Sequence, residues 1–236
     1  MVVFVGAGPG AEDLITVRGQ KLLEVKKESC DVYNSAYMTL EEVMDVMKKA
    51  EQQGKKVVRL HTGDPCLYGA IREQMDALKE AGIEYEVCPG GSSFCGAAAA
   101  LKAEYTLPDV SQSVGITRMA GRTPVPDRES IRSFAAHQST MVVFLSTGML
   151  EDLSKELIAG GYEKDTPAAI VYKATWPEEK VLLCTVETLA EVAKREKVTK
   201  TALIVVGKIL DGDYERSLLY HPEFTTEFRK GVGKDE

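Results

Sequence analysis

The chain has 236 residues, 44% hydrophobic and 28% charged, with 36 acids against 29 bases for a net charge of −7. That composition fits one large or two small globular domains and excludes a disordered chain, while the negative charge argues against nucleic acid or an anionic lipid surface as partner. No run approaches the ~20 apolar residues that span a bilayer, and the opening Met-Val-Val-Phe-Val-Gly lacks the basic start of a signal peptide, so the expectation is a cytoplasmic protein with no membrane partner.

In chain order, residues 2–5 form an apolar run that ends in Gly6-Ala7-Gly8-Pro9-Gly10, a buried strand entering a tight turn. Helical spacing follows at Leu14, Val17, Leu22 and Leu23. Thr39 can cap a second helix, with Glu42 three residues on and Leu40, Val43, Met44 and Met47 on one face, and Gly54 stops it. A strand over 57–60 runs into Thr62-Gly63-Asp64-Pro65 and a helix over 71–81; another over 83–87 runs into Pro89-Gly90-Gly91-Ser92-Ser93 and a small-residue helix over 94–101. Strand, turn and helix in repetition favour a parallel-rich α/β sheet, because a parallel return needs a crossover.

The pattern breaks near Thr106-Leu107-Pro108-Asp109, which sets the expected boundary between an amino-terminal domain, 1–110, and a carboxyl-terminal domain, 111–236. The second half should carry strands at 114–117, 140–145, 168–172, 181–185 and 201–206, helices at 128–136, 151–159 and 188–194, and an ordered loop over 118–127. One interval does not fit. After Leu22-Leu23-Glu24 a strand is due, yet Val25-Lys26-Lys27-Glu28-Ser29-Cys30 reads as a helix end or loop, so we expect a segment to be absent between Glu24 and Val25.

Three strand-terminal turns carry glycine, and in a parallel sheet ligands gather outside the carboxyl ends of the strands. The first turn departs from a dinucleotide fingerprint, since proline stands where N–H donors are needed and no third glycine follows in step; it reads equally as a plain connection. In the second, Asp64 can accept from a ribose hydroxyl or a ligand ammonium, or cap the next helix. A Walker lysine is missing, Ser92 and Ser93 lack a nucleophile elbow, and Cys66, Cys88 and Cys95 read as core or cap. Five cysteines without a C-x-x-C pair and three scattered histidines point away from disulfides and from a protein-bound metal, and His61 reads as a buried, hydrogen-bonded structural imidazole. Arg118, Arg122 and Arg128 suit a substrate with several carboxylates, or are solvated loop arginines. Trp176 offers an aromatic surface or a core filler.

Taken together, residues 6–19 (GAGPGAEDLITVRG), 61–70 (HTGDPCLYGA), 89–94 (PGGSSF), 117–126 (TRMAGRTPVP) and 172–180 (YKATWPEEK) resemble the tetrapyrrole methylase family, over about residues 2–230. Within it, GRTPVP and KATWPEE most resemble the branch that methylates carbon 11 of the corrinoid precursor in cobalamin synthesis. The resemblance implies two α/β domains of the class III methyltransferase type, S-adenosylmethionine folded in the cleft between them, S-adenosylhomocysteine as product, a tetrapyrrole substrate and a homodimer. Carried over, cofactor contacts fall on Pro9; on Gly63, Asp64 and Leu67; on Ser92 and Ser93; and, in the second half, on Leu145, Ser146, Ala174 and Ala202. Substrate neighbours are Arg118, Arg122, Tyr68, Tyr105 and Lys173. No residue is assigned as catalytic, because displacement from a sulfonium mainly needs alignment in a dry pocket. Two departures stand out: the family has a second strand and loop where this chain passes from Glu24 to Val25, and commonly an apolar residue where this chain has Gly91. The alternatives are another corrin-ring or uroporphyrinogen methylase of the family, or a corrinoid- or nucleotide-binding module without transferase activity.

Overall fold

The computed structural model describes residues 1–24, 30–212 and 214–232. The junction between Glu24 and Val25 lies outside the described residues. The chain divides into two compact units: Met1–Ala97 together with Ala174–Pro177, and Ala98–Lys173 together with Glu178–Glu236.

The first unit is built on β1 (Val2–Gly6), flanked by β2 (Val57–His61) and β3 (Tyr85–Cys88), both parallel to it, in the order β2-β1-β3. Being central, β1 is covered on both faces, and so its sequence is continuously apolar rather than alternating. Val2 and Phe4 pack with Val43, Met44 and Met47 of α2 (Leu40–Gln52) and Leu78 of α3 (Arg72–Glu80). Val3 and Val5 face the other way, toward Cys88, with Leu22 of α1 (Val17–Leu23) against them. The spacing that suggested one helix from Leu14 onward is interrupted: Glu12–Leu14 is a 3₁₀ turn, and Thr16 restarts the chain by capping α1 through Gly19 N–H. The expected Thr39 capping box is present, with Thr39 and Glu42 exchanging bonds at the start of α2. α4 (Ser93–Leu101) follows the third turn.

The second unit holds a five-stranded sheet in the order β4-β5-β8-β6-β7: Val114–Arg118, Thr140–Phe144, Ala202–Val206, Pro167–Tyr172 and Lys180–Thr185. Here β4 and β5 are parallel and the remaining pairings antiparallel. Extending the parallel-rich expectation to this half does not hold, because β6 and β7 are joined by only residues 173–179, too few for a crossover. The core lies between this sheet and α5 (Ile131–Ala135), α6 (Leu150–Gly160) and α7 (Leu189–Arg195), centred on Met141, Val143, Leu153, Leu157, Ile170, Leu189 and Ile204. The helix expected over 128–136 is split, since Ser130 is extended and caps α5 through Ser133 N–H. Among the described residues no helix is long and apolar enough to cross a membrane.

Phe4 is fully buried in the central strand of the first unit. Phe4→Ala is expected to destabilise that unit by about 3–5 kcal/mol, read as a shift of its urea unfolding midpoint.

Candidate functional site

The carboxyl ends of β1, β2 and β3 lie side by side because the strands are parallel and in register, so the three glycine turns emerge at one edge. They are also bonded to one another. Ala7 N–H donates to His61 O at 2.7 Å, and Gly8 and Gly63 exchange N–H···O bonds of 3.2 and 2.9 Å. Beneath these, a Cβ on Gly6 would fall 2.6 Å from Gly90 N, and one on Gly90 would fall 2.5 Å from Gly63 O. No side chain fits at either position, so the turns stack backbone on backbone. Gly63 stands next to Ser92 and Ser93, and its φ of +66° explains glycine at that position.

Asp64 fastens the arrangement. Its Oδ1 accepts Cys66 N–H and its Oδ2 accepts Gly90 N–H, each at 2.8 Å, so one carboxylate shapes the second turn and ties the third to it. Burial pushes its pKa up, but hydrogen bonds from Cys66 and from the Gly90 amide outweigh that and hold it below the ordinary carboxylate value. The same carboxylate raises the pKa of the Cys66 thiol, chiefly through their hydrogen bond, which suits no nucleophile. Cys66 and Cys95 are exposed and Cys88 alone of the three is core.

Pro9 packs against the third turn and α4: a Cβ on Gly91 would lie 3.3 Å from its Cδ, and one on Gly96 2.9 Å from its Cβ. Ser92 is buried and its carbonyl opens α4 by accepting Cys95 N–H at 3.0 Å, while Ser93 is the first residue of that helix. Leu67 follows Asp64 in the second turn, and Tyr68 beside it is 46% exposed in a left-handed conformation, φ +56°. Ala174 is buried and belongs to this first unit. Pro9, Gly63, Asp64, Leu67, Ser92, Ser93 and Ala174 are therefore all in the unit that holds the apposed turns. A separate groove of about 430 Å³ touches the first turn at Ala7 and Gly10 and continues past Ile15 to Leu23, Glu24 and Leu60.

His61 differs from its expectation. Its Nε2 is buried with no hydrogen-bond partner among the described residues, and the ring rests against Phe4 at 6.0 Å. Burial, with the nearby Arg59 charge, lowers its pKa and keeps it neutral.

In the second unit, Arg118, Leu145, Ser146, Ala202 and Lys173 gather at one end of the sheet. Ser146 Oγ donates to Phe144 O at 2.6 Å and accepts Met119 N–H at 2.9 Å, linking the ends of β4 and β5. Thr147 Oγ1 donates to Ala202 O at 3.2 Å, and Lys173 N–H donates to Thr201 O at 2.9 Å. Leu145 leaves the strand at φ +52° and is 68% exposed, one residue earlier than the strand expected there. Arg118 spends much of its guanidinium on its own loop, donating to the carbonyls of Met119, Thr123 and Pro124 at 3.2, 3.2 and 2.8 Å. Arg122, in that loop, is exposed. Tyr105 is buried, its carbonyl accepting from Thr140 Oγ1 at 2.8 Å.

Sequence reasoning missed the engagement of the loop after β6 with the first turn. Thr175 Oγ1 accepts Ala11 N–H at 3.0 Å, and the indole of Trp176 lies on Gly10. Lys173 and Thr175 are left-handed, φ +46° and +70°, a strain of about 1–3 kcal/mol each that surrounding contacts must hold. The chemical hint was present: a glycine after Pro9 leaves a bare patch that an aromatic ring can cover.

The sequence profile of the tetrapyrrole (corrin/porphyrin) methylases matches residues 25–190. A cobalt-precorrin-4 C(11)-methyltransferase of Methanocaldococcus jannaschii is 50% identical over 252 aligned positions, covering 99% of this chain and 97% of that protein. In shape, the chain is similar to an X-ray structure of a cobalamin biosynthetic enzyme, a cobalt precorrin-4 methyltransferase, with TM-score 0.86 and 42% identity over 89% of this chain and 95% of the other. It is also similar to the uroporphyrin-III C-methyltransferase of Thermus thermophilus complexed with S-adenosylhomocysteine, with TM-score 0.75 and 25% identity over 89% of this chain and 98% of the other.

Asp64→Asn keeps an acceptor for one backbone N–H and loses the charge, so it should cost about 1.5–3 kcal/mol in urea unfolding at neutral pH. Because the folded pKa of Asp64 is depressed, its contribution is complete above the usual carboxylate value and fades as pH falls through the lower folded value. The gap between parent and variant should therefore shrink below about pH 4, measured as unfolding midpoint against pH.

Proposed function

The chain belongs to the tetrapyrrole (corrin/porphyrin) methylase family, and we propose that it transfers the methyl group of S-adenosylmethionine to carbon 11 of cobalt-precorrin-4 in cobalamin biosynthesis. The observation that carries this reading is 50% identity along almost the whole of both chains with the archaeal cobalt-precorrin-4 enzyme. Support for the donor comes from the Thermus relative solved with S-adenosylhomocysteine and from the apposed glycine turns, whose bare backbones leave room for a ligand to lie against the chain.

When bound, the donor supplies an electrophilic methyl on a sulfonium, whose charge disperses as the ring carbon attacks. The protein's part is alignment. Pro9, Gly63, Asp64, Leu67, Ser92, Ser93 and Ala174 would hold the donor, and the family resemblance adds Leu145, Ser146 and Ala202 as further contacts. Fixed turns lower the entropy cost of lining up methyl and nucleophile. Asp64, already bonded to two amides, orders the pocket first and accepts from the ligand second.

Acidic arms of the macrocycle would meet Arg122 and the N–H groups of Arg118 that its loop leaves over, with Tyr68, Tyr105 and Lys173 as neighbours. Lys173 pairs with Glu178 at 3.1 Å, chiefly by the hydrogen bond that raises the lysine's pKa, so it remains a cation throughout the neutral range. None of the residues considered is suited to be an obligatory base: Asp64 has a depressed pKa and His61 has its Nε2 enclosed. We read the enzyme as a homodimer, as the family resemblance implies, and as working in the cytoplasm, as its apolar runs and opening residues lead us to expect.

Incubation with methyl-labelled S-adenosylmethionine and cobalt-precorrin-4 should give a ring labelled at carbon 11, with less turnover on the metal-free ring; label at another ring carbon, or none, overturns the assignment. His61→Ala and Tyr105→Phe should each keep kcat within about tenfold of the parent. A variant that binds both ligands normally yet does not turn over would identify a base.

A further inference from the structure

Thr175 and Trp176 take no part in the chemistry above, yet both grip the first turn. Ala11 N–H donates to Thr175 Oγ1 at 3.0 Å across 164 residues of sequence. The Trp176 indole covers Gly10 so closely that a side chain at position 10 would collide with its Cδ1 and Nε1. Gly96 of α4 takes both partners at once, since a Cβ there would lie 2.9 Å from Pro9 Cβ and 3.1 Å from the Thr175 methyl. Residues 9–11 are thus held on one side by α4 and the third turn, and on the other by Thr175 and Trp176. The left-handed backbone of Lys173 and Thr175 brings these two side chains to that place. Lys173 secures the base of the loop through Thr201 O and the Glu178 carboxylate, at 2.9 and 3.1 Å.

We propose that Thr175 and Trp176 are positioning residues: by fixing the shape of the Pro9–Gly10–Ala11 turn they set the affinity for the adenosine-bearing methyl donor and leave tetrapyrrole binding unaffected. The inference rests on the methyl-transfer reading, which puts the donor against Pro9. Without the threonine hydroxyl the Ala11 amide loses its acceptor, the turn relaxes in the free protein, and ordering it again is charged to donor binding. The tetrapyrrole, met by other side chains, should not feel that cost.

The test is calorimetric titration with S-adenosylhomocysteine, cross-checked by emission from Trp176, the chain's single tryptophan, alongside steady-state kinetics. Thr175→Val should weaken S-adenosylhomocysteine binding about five- to tenfold, and Thr175→Ser, which restores the acceptor, should return it to within about twofold. KM for the donor should rise in step while kcat and the tetrapyrrole KM stay within about twofold of the parent. Gly10→Ala, which drives the indole off the turn from the opposite partner, should show the same split and stands in if the valine variant does not fold. Unchanged donor affinity in folded Thr175→Val, failure of serine to rescue, or equal loss for donor and tetrapyrrole each overturns the proposal. A parent protein that binds no S-adenosylhomocysteine overturns the methyl-transfer reading itself, so the parent titration tells the two failures apart.

Discussion

Contact of backbone with backbone at Gly6, Gly63 and Gly90 is the constraint on which the candidate site depends. A Cβ at Gly6 or Gly90 would fall within 2.6 Å of another turn's main chain, where no rotamer offers relief. The same closeness leaves peptide groups rather than side chains at the strand ends, so a ligand there meets fixed donors and acceptors whose positions are set by sheet register. Asp64 adds the only charge tying the second turn to the third among the hydrogen bonds described, and its two oxygens are already engaged by amides. A carboxylate so employed behaves as part of the scaffold, and the arrangement favours catalysis by alignment over catalysis by proton transfer.

What could be read from sequence follows from the range of the interaction. β1, the Thr39 capping box and the three turns are local patterns, and each stands where its residues suggested. The strands of the second half were equally visible, but their directions were not: β6 and β7 pair antiparallel because the connection is short, which periodicity within a strand does not encode. Likewise the break at Ser130 depends on one hydroxyl choosing to cap rather than continue a helix. Least legible were contacts between distant segments. Nothing near Thr175 reveals that its hydroxyl receives the amide of Ala11, and nothing near Arg118 reveals that neighbouring carbonyls absorb its donors. His61 was read as hydrogen-bonded from its place at a strand end, whereas its Nε2 is enclosed by packing.

A chain with net charge −7 that handles an acid-bearing macrocycle must confine its positive field. Residues 118–128 show how far composition alone goes. Arg118 organises the loop through three carbonyls and Arg128 lies beside Glu129, so three arginines in sequence do not amount to three free cations in space. Arg122 is exposed on that loop, and Lys173 shares its charge with Glu178. On the proposed reading, recognition of the acid arms would fall to few groups, and shape would supply much of the selectivity.

The expected absence of a segment after Glu24 bears on one flank of the first unit, since Glu24 lies on the same groove as Leu60 of β2. The archaeal relative aligns over 252 positions, more than the 236 residues this chain has, so the relative carries residues with no counterpart here. Among the described residues of the first unit β2 is an edge strand, and Leu60 on it is 49% exposed. Leu60 and Leu23 line the same groove, together with Glu24. A half-exposed leucine on a parallel edge strand is unusual, since parallel sheets are normally covered on both faces. An additional strand laid along β2 would cover that edge and use the open backbone groups there. Because the apposed turns are carried by β1, β2 and β3, a segment added there would change the flank beside Leu60 and leave the turns in place.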